Sequence, residues 1–213
     1  MPLATDIARD LLRIQAVTLR PDDPFTWASG RLAPIYTDNR LTLSHPEVRD
    51  RLVDGFVGLA RRAGGADAVS GTATAGIPHA TLLADRLGLP LSYVRSRAKG
   101  HGRGNQIEGR IEAGQRVLVV EDLVSTGGSV IAAVEALREA GALVQTVLAV
   151  FTYGLDAAAD AVSDAGFTLR TLTDFPALLD VAREDGHLGE QQIAVLDEWR
   201  RDPAAWSQAR GGA

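Results

Sequence analysis

Residues 117–141, VLVVEDLVSTGGSVIAAVEALREAG, leave the rest of the chain few options. The unbroken apolar run at its start suits a strand covered on both faces, the situation inside a parallel sheet. Val130, Val134 and Leu137 then recur at helical spacing, so a strand passes through a short loop directly into a helix. Parallel strands need such helical crossovers, because a tight turn cannot return the chain to the same end of the sheet.

The same alternation recurs along the chain. The stretch MPLATDIARDLLRIQAV predicts an amphipathic helix with Ile7, Leu11 and Ile14 on one face. SHPE at 44–47 reads as a capping box opening a helix, with Val48, Leu52, Phe56 and Leu59 as its apolar stripe and Gly64-Gly65 at its end. Strands are predicted at ADAVS (66–70), LPLSYVR (89–95), RVLVV (116–120) and LVQTVLAVF (143–151). IPHATLLADRLG (77–88) is a helix with Pro78 in its first turn and Gly88 at its end. FPALLDVARED and EQQIAVLDEWRR predict two further helices, the second stopped by Pro203, and the closing ARGGA reads as disordered. No internal repeat or long linker divides the 213 residues, and 46% hydrophobic residues supply one sizeable core. The expectation is an α/β fold, a Rossmann-like parallel sheet with helices on both faces, and a ligand beyond the carboxyl ends of its strands.

Three loops are expected at that edge: 71–76, 95–109 and 121–129. In EDLVSTGGS the small residues Ser125, Thr126, Gly127, Gly128 and Ser129 let backbone N–H groups close around a phosphate at a helix start. Glu121 and Asp122 would repel that phosphate but suit neighbouring hydroxyls or hydrated Mg²⁺, so a sugar phosphate fits the segment. A Walker-B-like strand or a plain surface turn are the alternatives; no Gly-Lys-Ser/Thr follows to make a Walker A loop. GTATAGIP offers either a second anion site or tight strand-to-helix packing. RSRAKGHGRGNQIEG spaces Arg95, Arg97, Lys99 and His101 by two, so an extended segment would point all four one way. It reads as a cationic lid on glycine hinges, or as a solvated basic loop. Lys99 is the only lysine among 22 basic residues.

Other classes are excluded by composition. A net charge of −5 argues against non-specific nucleic-acid or membrane-surface binding. No apolar run approaches the roughly 18 residues that span a bilayer. The absence of cysteine removes disulfides, zinc-thiolate sites and thiol catalysis, and fits a cytoplasmic location.

Taken in order and spacing, FTWASGRLAPIYTDNR (25–40), GTATAGIPHA, YVRSRAKGHGRGNQIEG and VEDLVSTGGS resemble the type I phosphoribosyltransferases and, within them, the orotate branch. The match runs from about residue 5 to beyond 150. The resemblance implies one domain over 1–213: a hood formed largely by the N-terminal ~40 residues, a core over roughly 45–155, and C-terminal helices over 156–205. It implies transfer of ribose 5-phosphate from phosphoribosyl pyrophosphate (PRPP) to N1 of orotate, giving orotidine 5′-monophosphate for pyrimidine synthesis. Mg²⁺ is required, carried by PRPP rather than by a protein metal site. By the same resemblance, the amides and hydroxyls of Ser125 to Ser129 hold the 5-phosphate, Leu123 and Val124 belong to the same PRPP-binding segment, and Glu121 and Asp122 face the ribose hydroxyls. Arg95 and loop 71–76 approach pyrophosphate. Lys99 and His101 act with Asp122 in catalysis, from a lid reaching across a homodimer interface. Some family members carry lysine where this chain has Ala28, Leu32 and Ala75, and arginine where it has Tyr153. The contact to the orotate carboxylate therefore falls to Ser125 and backbone amides, with Arg31 or Arg40 as candidate charge partners. Tyr36 either stacks on the base or packs the hood. Trp27 is expected to shape the hood, Trp199 and Trp206 to pack near the C-terminus, and His45 and His187 to lie at the surface. A transferase for another nucleobase, or a PRPP-sensing regulator on the same fold, are the competing readings.

Overall fold

Valines and leucines placed two apart along the central strands divide the apolar side chains between two cores. Val117 and Val119 join one buried cluster while Leu118 and Val120 join the other, and Val147/Ala149 and Leu148/Val150 repeat the division. A sheet with both faces buried follows, and the computed structural model, which describes residues 3–97 and 106–213, has that sheet at its centre.

The chain starts with helix α1 (Leu3–Arg13), then the short strands β1 (Val17–Leu19), β2 (Phe25–Thr26), β3 (Leu32–Ala33) and β4 (Ile35–Thr37). A 3-10 turn (Asn39–Ser44) leads into α2 (Pro46–Arg62). Next come β5 (Ala68–Thr72), α3 (Gly76–Leu87), β6 (Leu91–Val94), β7 (Ile107–Glu108), β8 (Arg116–Val124), α4 (Gly128–Glu139) and β9 (Leu143–Thr152). The chain closes with α5 (Asp156–Asp164), β10 (Thr168–Asp174), α6 (Phe175–Glu184), α7 (Glu190–Arg201) and α8 (Pro203–Gln208). The main sheet has the order β10-β9-β8-β5-β6-β7, parallel throughout except for β7 against β6. β1 pairs with β4, and β2 with β3, as two small antiparallel ribbons beside it. α4 packs on one face, while α1, α2, α3, α6 and α7 contribute to the cluster on the other.

Four expectations need correction. Residues 156–205, expected to be helices, also supply β10, an edge strand paired only with β9. Its sequence TLRTLTD carries few apolar residues because it buries little beyond Leu172 and Thr173. The capping box at 44–47 does not form: Ser44 ends the 3-10 turn, and His45 is the N-cap without a side-chain bond. Pro46, at the first helical position, needs no N–H partner there. The ARGGA tail is tied down, with Ala213 N–H donating to Gly30 O at 3.1 Å and Ser207 Oγ donating to Ala213 O at 3.0 Å. Ser207 Oγ also accepts from Leu32 N–H at 2.9 Å, so the C-terminus packs on the N-terminal ribbons. The fourth correction, the length of β8, belongs to the site.

Candidate active site

β5, β8 and β9 end at the same edge of the sheet, but not at the same level. The last pairing of β5 with β8 is Gly71 with Val120, whereas β9 accompanies β8 to Val124 opposite Thr152. Glu121 and Asp122 therefore belong to the strand and not to the loop predicted at 121–129, because β9 continues to supply partners after β5 has stopped. Side chains serve the carbonyls of this overhang. Thr72 Oγ1 donates to Val120 O at 3.2 Å, Asn39 Nδ2 to Asp122 O at 2.8 Å, and Thr152 Oγ1 to Val124 O at 2.9 Å. Gly76 lets the turn after β5 lie on the overhang: a methyl group there would collide with Val120 O and Thr72 Oγ1. The peptide joining Ala73 and Thr74 in that turn is cis.

The two acids are not equivalent. Glu121 is 6% exposed, and its Oε1 accepts from the Asp122 N–H at 3.0 Å. Burial, reinforced by Asp122 beside it, pushes the Glu121 carboxyl up to about 8. Asp122 is half-buried. Behind them His79 is buried against Phe56, with ring centroids 6.3 Å apart, and Nδ1 has no partner among the described residues. Burial pulls its pKa down to about 4, so the ring is neutral at physiological pH.

Leu123, Val124, Ser125, Thr126, Gly127, Gly128 and Ser129 curve around a concavity of about 100 Å³. Gly127 takes φ 86°, a conformation that glycine adopts without strain, and so turns the chain into α4. The concavity thus lies at the N-terminus of α4, the end of a helix that favours anions. A second cavity, of about 170 Å³, has Thr72, Ala73, Arg95 and Ser129 among its lining residues, which brings part of loop 71–76 beside Arg95. Arg95 Nη1 lies 3.6 Å from Glu108 Oε1, and Arg97 is exposed. Lys99 and His101 lie outside the described residues.

A third, larger cavity of about 420 Å³ opens beside the concavity, lined by Thr26, Trp27, Ala28, Tyr36, Thr37, Leu123, Ser125 and Tyr153. Leu123 and Ser125 are common to both. Among the described residues its lining carries no charged side chain. Arg31 and Arg40 do not line it, and Arg40 is held by Asp38 through bonds of 2.6 and 2.8 Å. Tyr153 stacks on Trp27 and meets Trp199 edge-on, and its hydroxyl donates to Thr37 Oγ1 at 3.1 Å. Burial pushes Tyr153 up to about 12, which keeps the hydroxyl protonated. Tyr36 is 46% exposed, tilted against Phe25 at the rim. Trp199 and Trp206 are core residues, whereas His187 is exposed and His45 half-buried. Thr72, Asn39 and Thr152 were not singled out from sequence. Nothing in their local spacing signals bonds to a strand 28 to 83 residues away.

An anion cradle beside a half-buried carboxylate and a flat aromatic-walled cavity suits a phosphorylated sugar and a planar acceptor. Comparison with known proteins agrees. Residues 53–168 match the phosphoribosyl transferase domain. Orotate phosphoribosyltransferase of Cutibacterium acnes is 53% identical over 208 residues, 97% of this chain and 96% of that one. Among solved structures, orotate phosphoribosyltransferase from Aeropyrum pernix superposes with a TM-score of 0.74 at 32% identity, covering 86% of this chain and 99% of that one. The Mycobacterium tuberculosis enzyme in complex with 5-phospho-α-D-ribosyl 1-diphosphate gives a TM-score of 0.66 at 27% identity, covering 83% and 99%. Identity sustained over nearly the whole of both chains places this one: it belongs to the orotate phosphoribosyltransferase family.

Proposed function

We propose that the chain transfers the 5-phosphoribosyl group of PRPP to N1 of orotate, releasing pyrophosphate and forming orotidine 5′-monophosphate. The observation that carries this reading is the shared wall: Leu123 and Ser125 border both the anion cradle and the aromatic cavity, so a phosphate and a planar base are held side by side. In the proposed complex the amides and hydroxyls of Ser125 to Ser129 take the 5-phosphate. Asp122 accepts from the ribose hydroxyls. Arg95 and the turn after β5 face the pyrophosphate. Orotate enters the aromatic cavity with Ser125 and backbone amides at its carboxylate. As the C1–O bond breaks, its electrons leave with pyrophosphate and C1 gains oxocarbenium character, while N1 bonds C1 and its proton passes to the departing pyrophosphate. A carboxylate near the ribose, cations near the departing oxygens and a dry pocket all favour that charge distribution.

Glu121 is less suited than Asp122 to direct contact with substrate, since its carboxyl is buried and its Oε1 occupied. The family's Mg²⁺, which PRPP would bring, suits a hard-oxygen carboxylate such as the half-buried Asp122. When bound, Mg²⁺ neutralises charge on the leaving pyrophosphate. From the sequence, Lys99 and His101 are proposed to supply mobile positive charge or a proton to the same oxygens, across the interface of a homodimer. The whole of 1–213 is read as one such domain. No described helix is long and apolar enough to cross a membrane, and a cytoplasmic site of action is proposed.

The test is orotate consumption followed spectrophotometrically with PRPP and Mg²⁺, with adenine, uracil and xanthine run in parallel. Turnover of orotate alone is the expected result; turnover of another base without orotate would overturn the assignment.

A further inference from the structure

Beyond Val120 the β5 side of β8 has no strand partner, and a backbone carbonyl left bare in a buried setting is costly. Thr72, the last residue of β5, serves Val120 O where that pairing stops, and Thr152, the last residue of β9, serves Val124 O where the pairing with β9 stops. Asn39 is different. It reaches Asp122 O from the segment that follows β4, 83 positions away in sequence. It is fully buried, and its Oδ1 has no partner among the described residues. A buried amide oxygen without a partner is costly, so its retention calls for a role of the group beyond packing. Its own backbone is pinned, with Thr42 Oγ1 donating to Asn39 O at 2.6 Å and the adjacent Asp38 N–H donating to Ala16 O at 2.7 Å. Two residues upstream, Thr37 lines the aromatic cavity and accepts from Tyr153. One short segment thus touches both the acceptor cavity and the backbone of the accessible carboxylate.

We propose that Asn39 is a positioning residue for the transfer: its amide clamps the β8 overhang at Asp122, so that the carboxylate is held at the ribose by the same segment that builds the acceptor cavity. The proposal rests on the reading of Asp122 given above. It differs from a packing role, because Asn39 would act on the reaction only through Asp122.

A double-mutant cycle decides between them, with kcat and both KM values measured for Asn39→Ala, Asp122→Asn and the pair, normalised to folded enzyme. Asn39→Ala is expected to lower kcat by up to about 100-fold, as misplacement by about 1 Å can, with the KM for orotate little moved. In the Asp122→Asn background the same change should cost less than about threefold, since the carboxylate it positions is already gone. Equal losses in both backgrounds would overturn the proposal while leaving the role of Asp122 intact. A loss that disappears on normalisation would also overturn it, as the mark of a structural role. Parental activity in Asp122→Asn alone would instead remove the reading of Asp122, and the single variant tells that case apart. Asn39→Ser, which keeps a polar group but is too short to reach Asp122, is the second variant should the alanine chain not fold, and the same outcomes apply to it.

Discussion

The two ends of β8 solve opposite problems. At its start, Arg116 donates to both oxygens of Asp67 at 2.7 and 3.1 Å, and its backbone N–H donates to the same carboxylate at 2.9 Å. That pairing holds Asp67 down at about 2. At its other end the strand outruns its neighbour, and a buried carboxyl with an acidic neighbour is pushed up to about 8. One end is an exposed, satisfied clasp; the other holds a buried carboxyl that keeps its proton, at the edge proposed to bind substrate. In a parallel sheet the carboxyl edge carries the chemistry, and residues there are placed against the requirements of stability.

The comparison is sharpest at Asp122. Asp122→Asn is expected to lower kcat by about 10²–10³-fold without lowering the melting temperature, as measured by steady-state assay and thermal unfolding. An unchanged kcat would make the two ends functionally alike. Gly76→Ala should come next: its methyl group must displace Val120 O or Thr72 Oγ1. Overpacking of this kind costs about 1–3 kcal/mol, which denaturant unfolding would register, together with weaker PRPP binding as the overhang shifts.

The pH dependence of stability should run in opposite directions at the two ends. For Glu121 the folded value is raised from the ordinary 4.5 to about 8, so the folded chain keeps a proton that the unfolded chain loses. Its contribution is full below about pH 4.5 and disappears as pH rises through about 8. Glu121→Gln, neutral throughout, should flatten that slope in denaturant titrations compared across pH. For Asp67 the folded value is lowered from 3.8 to about 2, so its contribution is present above 3.8 and lost as pH falls through about 2. Asp67→Asn should leave kcat and both KM values unchanged and reduce stability only slightly, because the pair is exposed to solvent. The small difference from the parent should close toward acid pH. A large loss of activity in Asp67→Asn would break the division between the ends.

Much of this site was legible in the chain itself. The segment VLVVEDLVSTGGS announced a buried strand, two acids and a phosphate-sized loop; its residues from Leu123 to Ser129 line one concavity, while Glu121 and Asp122 lie in the strand before it. Gly127 and the start of α4 also followed from local chemistry, since a small-residue turn into a helix needs little else. Missed were the features that depend on distant partners. The predicted strand stopped at Val120, yet β9 extends it to Val124. The segment TLRTLTD does not alternate cleanly, but joins the sheet because β9 offers it an edge. ARGGA has the composition of a loose end, and Gly30 and Ser207 hold it in place.

Periodicity and turn chemistry are properties of neighbouring residues, so the sequence by itself determined the alternation of strands and helices between about residues 46 and 151, their apolar faces and the small-residue loop that leads into α4. Whether the pairing of β5 stops four residues short of the end of β8 is a matter of register between separate segments. Only the tertiary structure decided it, and with it which acid is buried, which is half-buried, and which side chains hold the overhang. Asn39 illustrates the reason: a buried amide has no local signature, and its bond to Asp122 O exists only once residues 83 positions apart are packed together.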